Sequence, residues 1–318
     1  MVIKIKNMQQ QKIEFRKERD FGSVLGDSLK FLKQNFKSFF ASIILIVGPF
    51  ILIMGFGYGY MQTAMMDTSY ANAGNPGSVF NAQYFMSIGI TVFCGLLANI
   101  LLSAVVYNYM IIYNEKPVGE SITVSEVGKK VWAGFGALTI SSLTFIFCIA
   151  IAIAAIAIIC IGIISIMGTL GGVLVFLAIF TLFVIYIPVV SYFIPAAFFV
   201  VVRDGVFIFP AMGKVRNYLK GNFWWTWLIM IVTLISLGIL QGLFNLPATI
   251  MLMVRMFSKL QPTGESDNNI LLIAFYTFGM FFTYCTTSIS HLIAALNFMS
   301  HEEKHNGEGL MSRIEEIA

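Results

Sequence analysis

Five stretches of the chain contain no Asp, Glu, Lys or Arg: 38–66, 68–114, 131–202, 221–254 and 270–300. A bilayer core about 30 Å thick is crossed by about 20 apolar helical residues. Every stretch is long enough, and 131–202 is too long for a single crossing. Its middle reads Met167-Gly168-Thr169-Leu170-Gly171-Gly172, where glycine permits a tight turn. The pattern therefore predicts six spans, at about 39–60, 84–110, 136–163, 173–200, 224–248 and 271–298. The expected fold is all-α, a polytopic integral membrane protein with cytoplasmic amphipathic segments. It divides into a basic N-terminal segment (1–37), a membrane domain (38–300) and a short tail (301–318).

Composition agrees with that pattern. Hydrophobic residues make up 58% of the chain, charged residues 11%, and mean hydropathy is +0.83. Cys94, Cys148, Cys160 and Cys285 all fall inside expected spans and form no CxxC pair, which argues against a disulfide framework or a cysteine zinc site. Residues 1–37 are charged and lack an early apolar run, so the first span is expected to act as an uncleaved anchor.

The positive residues set the orientation. Of the 20 Lys and Arg, 18 lie in segments that the six-span alternation puts on one side, and only Arg255 and Lys259 lie on the other. Lys and Arg stay cytoplasmic. Both termini are therefore expected in the cytoplasm of a bacterial inner-membrane protein.

Residues 20–37 predict an amphipathic helix. Asp20, Ser23, Asp27, Lys30, Gln34 and Lys37 recur at helical spacing, as do Phe21, Leu25, Leu29, Leu32 and Phe36. Such a helix can lie in the interface, with Lys30, Lys33 and Lys37 near anionic head groups or an acidic partner surface. The passage Phe31-Leu32-Lys33-Gln34-Asn35-Phe36 recurs as Tyr218-Leu219-Lys220-Gly221-Asn222-Phe223. Lys214, Arg216 and Lys220 precede the fifth span as the earlier lysines precede the first. Phe36, Phe223 and Trp224 are the expected interface anchors. The recurrence suggests three parallel units, each a basic amphipathic piece followed by a helical hairpin.

The stretch from Ala211 through Lys214-Val215-Arg216-Asn217-Tyr218-Leu219-Lys220-Gly221-Asn222-Phe223-Trp224 resembles a recurring element of bacterial multi-pass families. These are similar to the membrane domain attached to some glycerophosphodiester phosphodiesterases, and to its stand-alone relatives. Phe21-Gly22-Ser23-Val24-Leu25-Gly26-Asp27 and the tail Glu302-Glu303-Lys304 fit the same style. The resemblance implies the architecture. With no phosphodiesterase domain in this sequence, it implies no catalytic activity.

Candidate chemistry is sparse. His301-Glu302-Glu303-Lys304-His305 satisfies H-E-x-x-H, which on a buried helix can bind zinc. Asn306-Gly307 should end that helix, and no histidine follows, so a solvated helix end is the expectation and no metal, cofactor or catalytic residue is assigned. Thr283, Thr287, Ser290, His291 and Asn297 form a polar stripe on the sixth span, expected to bond neighbouring helices. Pro188 and Pro195 should kink the fourth span. No nucleotide-binding or nucleophile motif appears, and nucleic acid is not an expected partner. The expected function is a non-enzymatic membrane scaffold or accessory subunit that binds membrane lipids and a membrane-protein partner or a second copy of itself. The alternatives are a transporter or flippase for an uncharged, lipid-like substrate and, more remotely, a zinc peptidase.

The orientation is testable. Single cysteines at Ser78 and Thr263, in a cysteine-free background, should label from outside intact spheroplasts. A cysteine at Ser121 should not, and external labelling there would break the six-span scheme.

Overall fold

The computed structural model describes residues 12–71, 82–117, 119–259, 269–307 and 311. Among these the regular secondary structure is all helix. Helix α1 (Phe21–Ile46) starts where the Asp20 carboxylate accepts the Ser23 amide, a standard N-cap. It ends at Val47. Pro49 then lacks a donor, and its ring conflicts with the carbonyl four residues back, so α2 (Gly48–Ala71) leaves at 59° to α1. Helix α3 spans Ala82–Glu115.

Helix α4 (Val124–Asp204) opens on a capping box in which Thr123 and Glu126 satisfy each other's backbone. At Gly168 the backbone takes φ 58 and ψ −135, conformations that glycine tolerates. The chain doubles back there. A Cβ on Gly171 would sit 2.7 Å from the Ile163 carbonyl, and the rings of Phe145 and Phe198 meet at 5.8 Å. Gly205, with φ 67, closes this hairpin. Then follow α5 (Ile208–Leu219), α6 (Phe223–Lys259) and α7 (Asn269–Asn306).

Helix α7 is the hub and touches all six other helices. From Leu292 to His301 every residue is buried. Its closest neighbour is α2. A Cβ on Gly55 would lie 2.8 Å from the Thr277 Cα, and one on Gly59 would lie 2.9 Å from the Ile273 Cα. Two glycines four apart thus let two backbones touch, the packing mode used where lipid removes any hydrophobic drive between helices. Gly57 turns the other way, toward Thr91 of α3.

Among the described residues, four helices are long and apolar enough to cross a membrane, and the bent pair α1–α2 would make a fifth. The surface supports that setting. Along the middle of α4, Phe147, Ile158 and Phe176 are 67%, 70% and 66% exposed, amid a continuous apolar surface. Contiguous patches of this kind suit lipid rather than water.

The junction expected near 37/38 lies inside α1, because the helix continues to the proline-enforced bend at Val47. The apolar set of α1 also splits. Val24, Phe31, Leu32, Phe39 and Ile43 enter the core, while Leu29 and Phe36 remain exposed. The two similar hexapeptides share one detail: Asn35 and Asn222 each donate to the carbonyl four residues back, at 3.0 and 3.2 Å. They are not equivalent junctions. Gln34 sits mid-helix, whereas Gly221, with φ 81, separates α5 from α6.

Replacing Gly59 with Val should push α2 off α7 and destabilise the bundle by about 1–3 kcal/mol. Thermal unfolding in detergent reads this directly. A Gly59→Val protein that melts like the parent would contradict the close approach.

Candidate anion-binding pocket

A pocket of ≈ 680 Å³ opens where the basic part of α1 meets the C-terminal end of α3 and the residues after it. Lys12, Lys30, Lys33 and Lys116 line it, with Tyr113 and Glu120. The four lysines arrive by three routes.

Lys30 and Lys33 project from α1 into solvent, and neither makes a hydrogen bond or ion pair among the described residues. Lys12 comes from the segment before α1. Its Nζ donates to the Asn114 and Lys116 carbonyls at 2.8 and 2.7 Å, a cation on the carbonyl end of α3. The neighbouring Ile13 amide donates to the Tyr113 hydroxyl at 3.0 Å, which in turn donates to Gln34 Oε1 at 3.2 Å. Lys116 pairs with Glu120 at 3.1 Å and Glu126 at 2.9 Å. Its hydrogen bond to Glu126, ahead of the other contacts, holds the ammonium above the ordinary lysine pKa. The wall is therefore net positive through Lys12, Lys30 and Lys33, with Glu120 as the one acidic side chain lining it.

The segment that delivers Lys12 is pinned by Arg19. This side chain is buried, pairs with Asp27 at 2.8 Å, and donates to the carbonyls of Phe15, Lys17 and Glu14. The Arg19 amide also donates to Ser300 Oγ at 2.8 Å, tying the segment to α7. Ile13 and Phe15 are buried beneath it. The sequence reading did not single out Lys12, Lys116 or Arg19. Lys12 meets Lys116 across about 100 residues of chain, and Arg19 meets Ser300 across 281, so local spacing does not bring them together.

The expected lipid- or partner-binding lysines separate. Lys30 and Lys33 share the pocket, and Lys37 is exposed beyond it. Lys214 is held instead in a compact network: Arg203 grips Glu302 with contacts of 2.5 and 2.9 Å, Asp204 bridges Arg203 and Lys214, and Lys214 reaches Glu302 at 3.0 Å. This clamps the end of α4, helix α5 and the end of α7. Lys220 lines a second, shallower pocket of ≈ 380 Å³ with Lys214 and His305, and Arg216 is exposed outside both. Phe36 and Trp224 are exposed, while Phe223 is half-buried against Tyr186 and Trp224.

The polar stripe of α7 takes up interhelical and local bonds. Thr283 accepts from Asn245 at 3.4 Å, and Thr287 donates to the Thr283 carbonyl at 2.8 Å. His291 stacks on Tyr107. Ser290 is half-buried, and both polar atoms of buried Asn297 lack a partner among the described residues. In α4, Pro188 removes the donor for the Val184 carbonyl, and the Trp227 indole N–H donates there at 3.3 Å. That proline serves packing.

The H-E-x-x-H run needs correction. Its first half is packed, with His301 and Glu303 buried, while Lys304, His305 and Asn306 at the helix end are exposed. His301 is buried, with Nε2 2.9 Å from the Thr226 hydroxyl, and Glu302 belongs to Arg203 and Lys214. His305 faces Tyr218 and Asn306. Among the described residues, no group of three His, Cys, Asp or Glu side chains gathers to hold a metal.

No protein family, curated protein or solved structure matches this chain. The resemblance thus rests only on the residues that suggest it, 211–224 with 21–27 and 302–304.

Protein purified without metal-affinity resin should hold far less than one zinc per chain by elemental analysis. Stoichiometric zinc that disappears in the His301→Ala, His305→Ala double variant would contradict this assignment.

Proposed function

We propose that the chain is a six-span protein of the bacterial inner membrane, with both termini cytoplasmic. In this reading it acts without catalysis, as a scaffold or accessory subunit that grips the phosphorylated head groups of anionic lipids and so fixes itself beside a membrane partner or a second copy. Six crossings follow if each arm of the α4 hairpin spans once and the bent pair α1–α2 spans once. On that reading 18 of 20 Lys and Arg face the cytoplasm.

The observation that carries the functional reading is the pocket shared by Lys12, Lys30, Lys33 and Lys116. Two of its ammonium groups have no protein partner among the described residues and are poised for an anion, and Leu29 and Phe36 stand exposed on the same helix. Apolar residues in the acyl boundary beside lysines at head-group level are the pattern of an interfacial helix. Each such lysine adds about 1 kcal/mol of attraction to an anionic membrane.

The Lys30→Gln, Lys33→Gln double variant should therefore bind phosphatidylglycerol-containing nanodiscs or vesicles roughly 10–30-fold more weakly than the parent, with neutral phosphatidylcholine as reference. Its melting temperature in neutral detergent should stay put, since both side chains are exposed. Lys129→Gln with Arg216→Gln removes the same charge outside the pocket and should lose much less. Equal losses in the two double variants would mean that diffuse positive charge, not the pocket, attracts the lipid.

A further inference from the structure

A second cleft, of ≈ 220 Å³, opens among α3, both arms of α4 and α7. Its walls are apolar, made by Ile100, Phe145, Ile146 and Phe198. Asn99, Ser103, Ser142 and His291 add polar groups to it. The cleft lies deep. His291 is ten residues before the buried His301, roughly 15 Å along the helix.

The hydrogen bonds around it fix which groups are left over. Ser103 donates its single proton to the Asn99 carbonyl at 3.0 Å. Its contact with His291 Nδ1, at 3.5 Å, must then run the other way, with Nδ1–H as donor. A neutral imidazole protonated at Nδ1 carries a lone pair on Nε2, which has no partner among the described residues. Asn99 spends both amide hydrogens, on the Gly95 carbonyl and on the Tyr284 hydroxyl, each at 2.9 Å. Its Oδ1 is likewise an acceptor without a partner among the described residues. The cleft thus offers these two acceptors, the Ser142 hydroxyl, which can donate or accept, and no charged side chain. An acceptor facing an apolar, lipid-side cleft favours a ligand that brings a donor.

We propose that this cleft binds an uncharged lipid through its hydroxyl group, with the chain against Phe145, Ile146 and Phe198 and the O–H donated to His291 Nε2 or Asn99 Oδ1. A phosphorylated lipid does not fit, because no cation lines the cleft to receive it. The site is separate from the lysine pocket and does not depend on it.

A diacylglycerol carrying a diazirine in one acyl chain tests this on the full-length protein in nanodiscs. Irradiation should label peptides covering 96–103, 142–146 or 194–198. Unlabelled diacylglycerol should compete, and its methyl ether, which lacks the donor, should compete roughly tenfold less well. His291→Phe keeps a ring against Tyr107 and should erase the difference between alcohol and ether. Where Asn99 is the acceptor, Asn99→Leu erases the difference instead; Asn99 is exposed, and the substitution costs its 2.9 Å bond to Tyr284. Equal competition by alcohol and ether in the parent protein would overturn the proposal, as would labelling confined to other segments or a preference that survives both substitutions.

Discussion

The contact between α2 and α7 at Gly55 and Gly59 sets the spacing on which much of the structure depends. In lipid there is no water to expel from between two apolar helices, so association relies on close packing and interhelical hydrogen bonds. Glycines four apart let the α2 backbone reach Ile273 and Thr277. With α2 seated there, α7 remains central and meets α6, α4, α3, α1 and α5 on its other sides. The polar groups of α7 then find partners on those neighbours, as Thr286 does with Gln241 and Tyr284 with Asn99.

Where the bundle ends in charged residues, a different force takes over. Arg203 lies over the rings of Phe199 and Phe298 while gripping Glu302. A partly buried pair of this kind is costly to break once formed, because one charge is left without its partner. Around it α4, α5 and α7 are joined at their ends. Arg19 does the same for the segment before α1, and so brings Lys12 to the carbonyls that end α3. The lysine pocket is a by-product of that closure: α1 contributes two lysines, and the other two come from segments about 100 residues apart.

The apolar scaffold was legible because lipid imposes a simple rule, long uncharged runs separated by charged ones. The turn within 131–202 was legible because the conformation at Gly168 favours glycine. The bend before Pro49 was not read, since a proline near the start of an apolar run is also compatible with a straight helix beginning there. Lys30 and Lys33 were visible from periodicity. Lys12 and Lys116 were not, because only the folded chain brings residues 12 and 116 together. The burial of His301 was hidden for a related reason, although the helix end beyond it, 304–306, is exposed as the sequence suggests. His301 looks solvated in isolation, yet Thr226 of α6 and Tyr192 of α4 pack against it.

The most direct test of the lysine pocket is the lipid that the protein keeps. After extraction in mild detergent and extensive washing, mass spectrometry of the intact protein and of its extracted lipid gives the species retained. The account predicts anionic phospholipid enriched well above its share of the source membrane. Retained lipid with the same composition as the bulk membrane would contradict it.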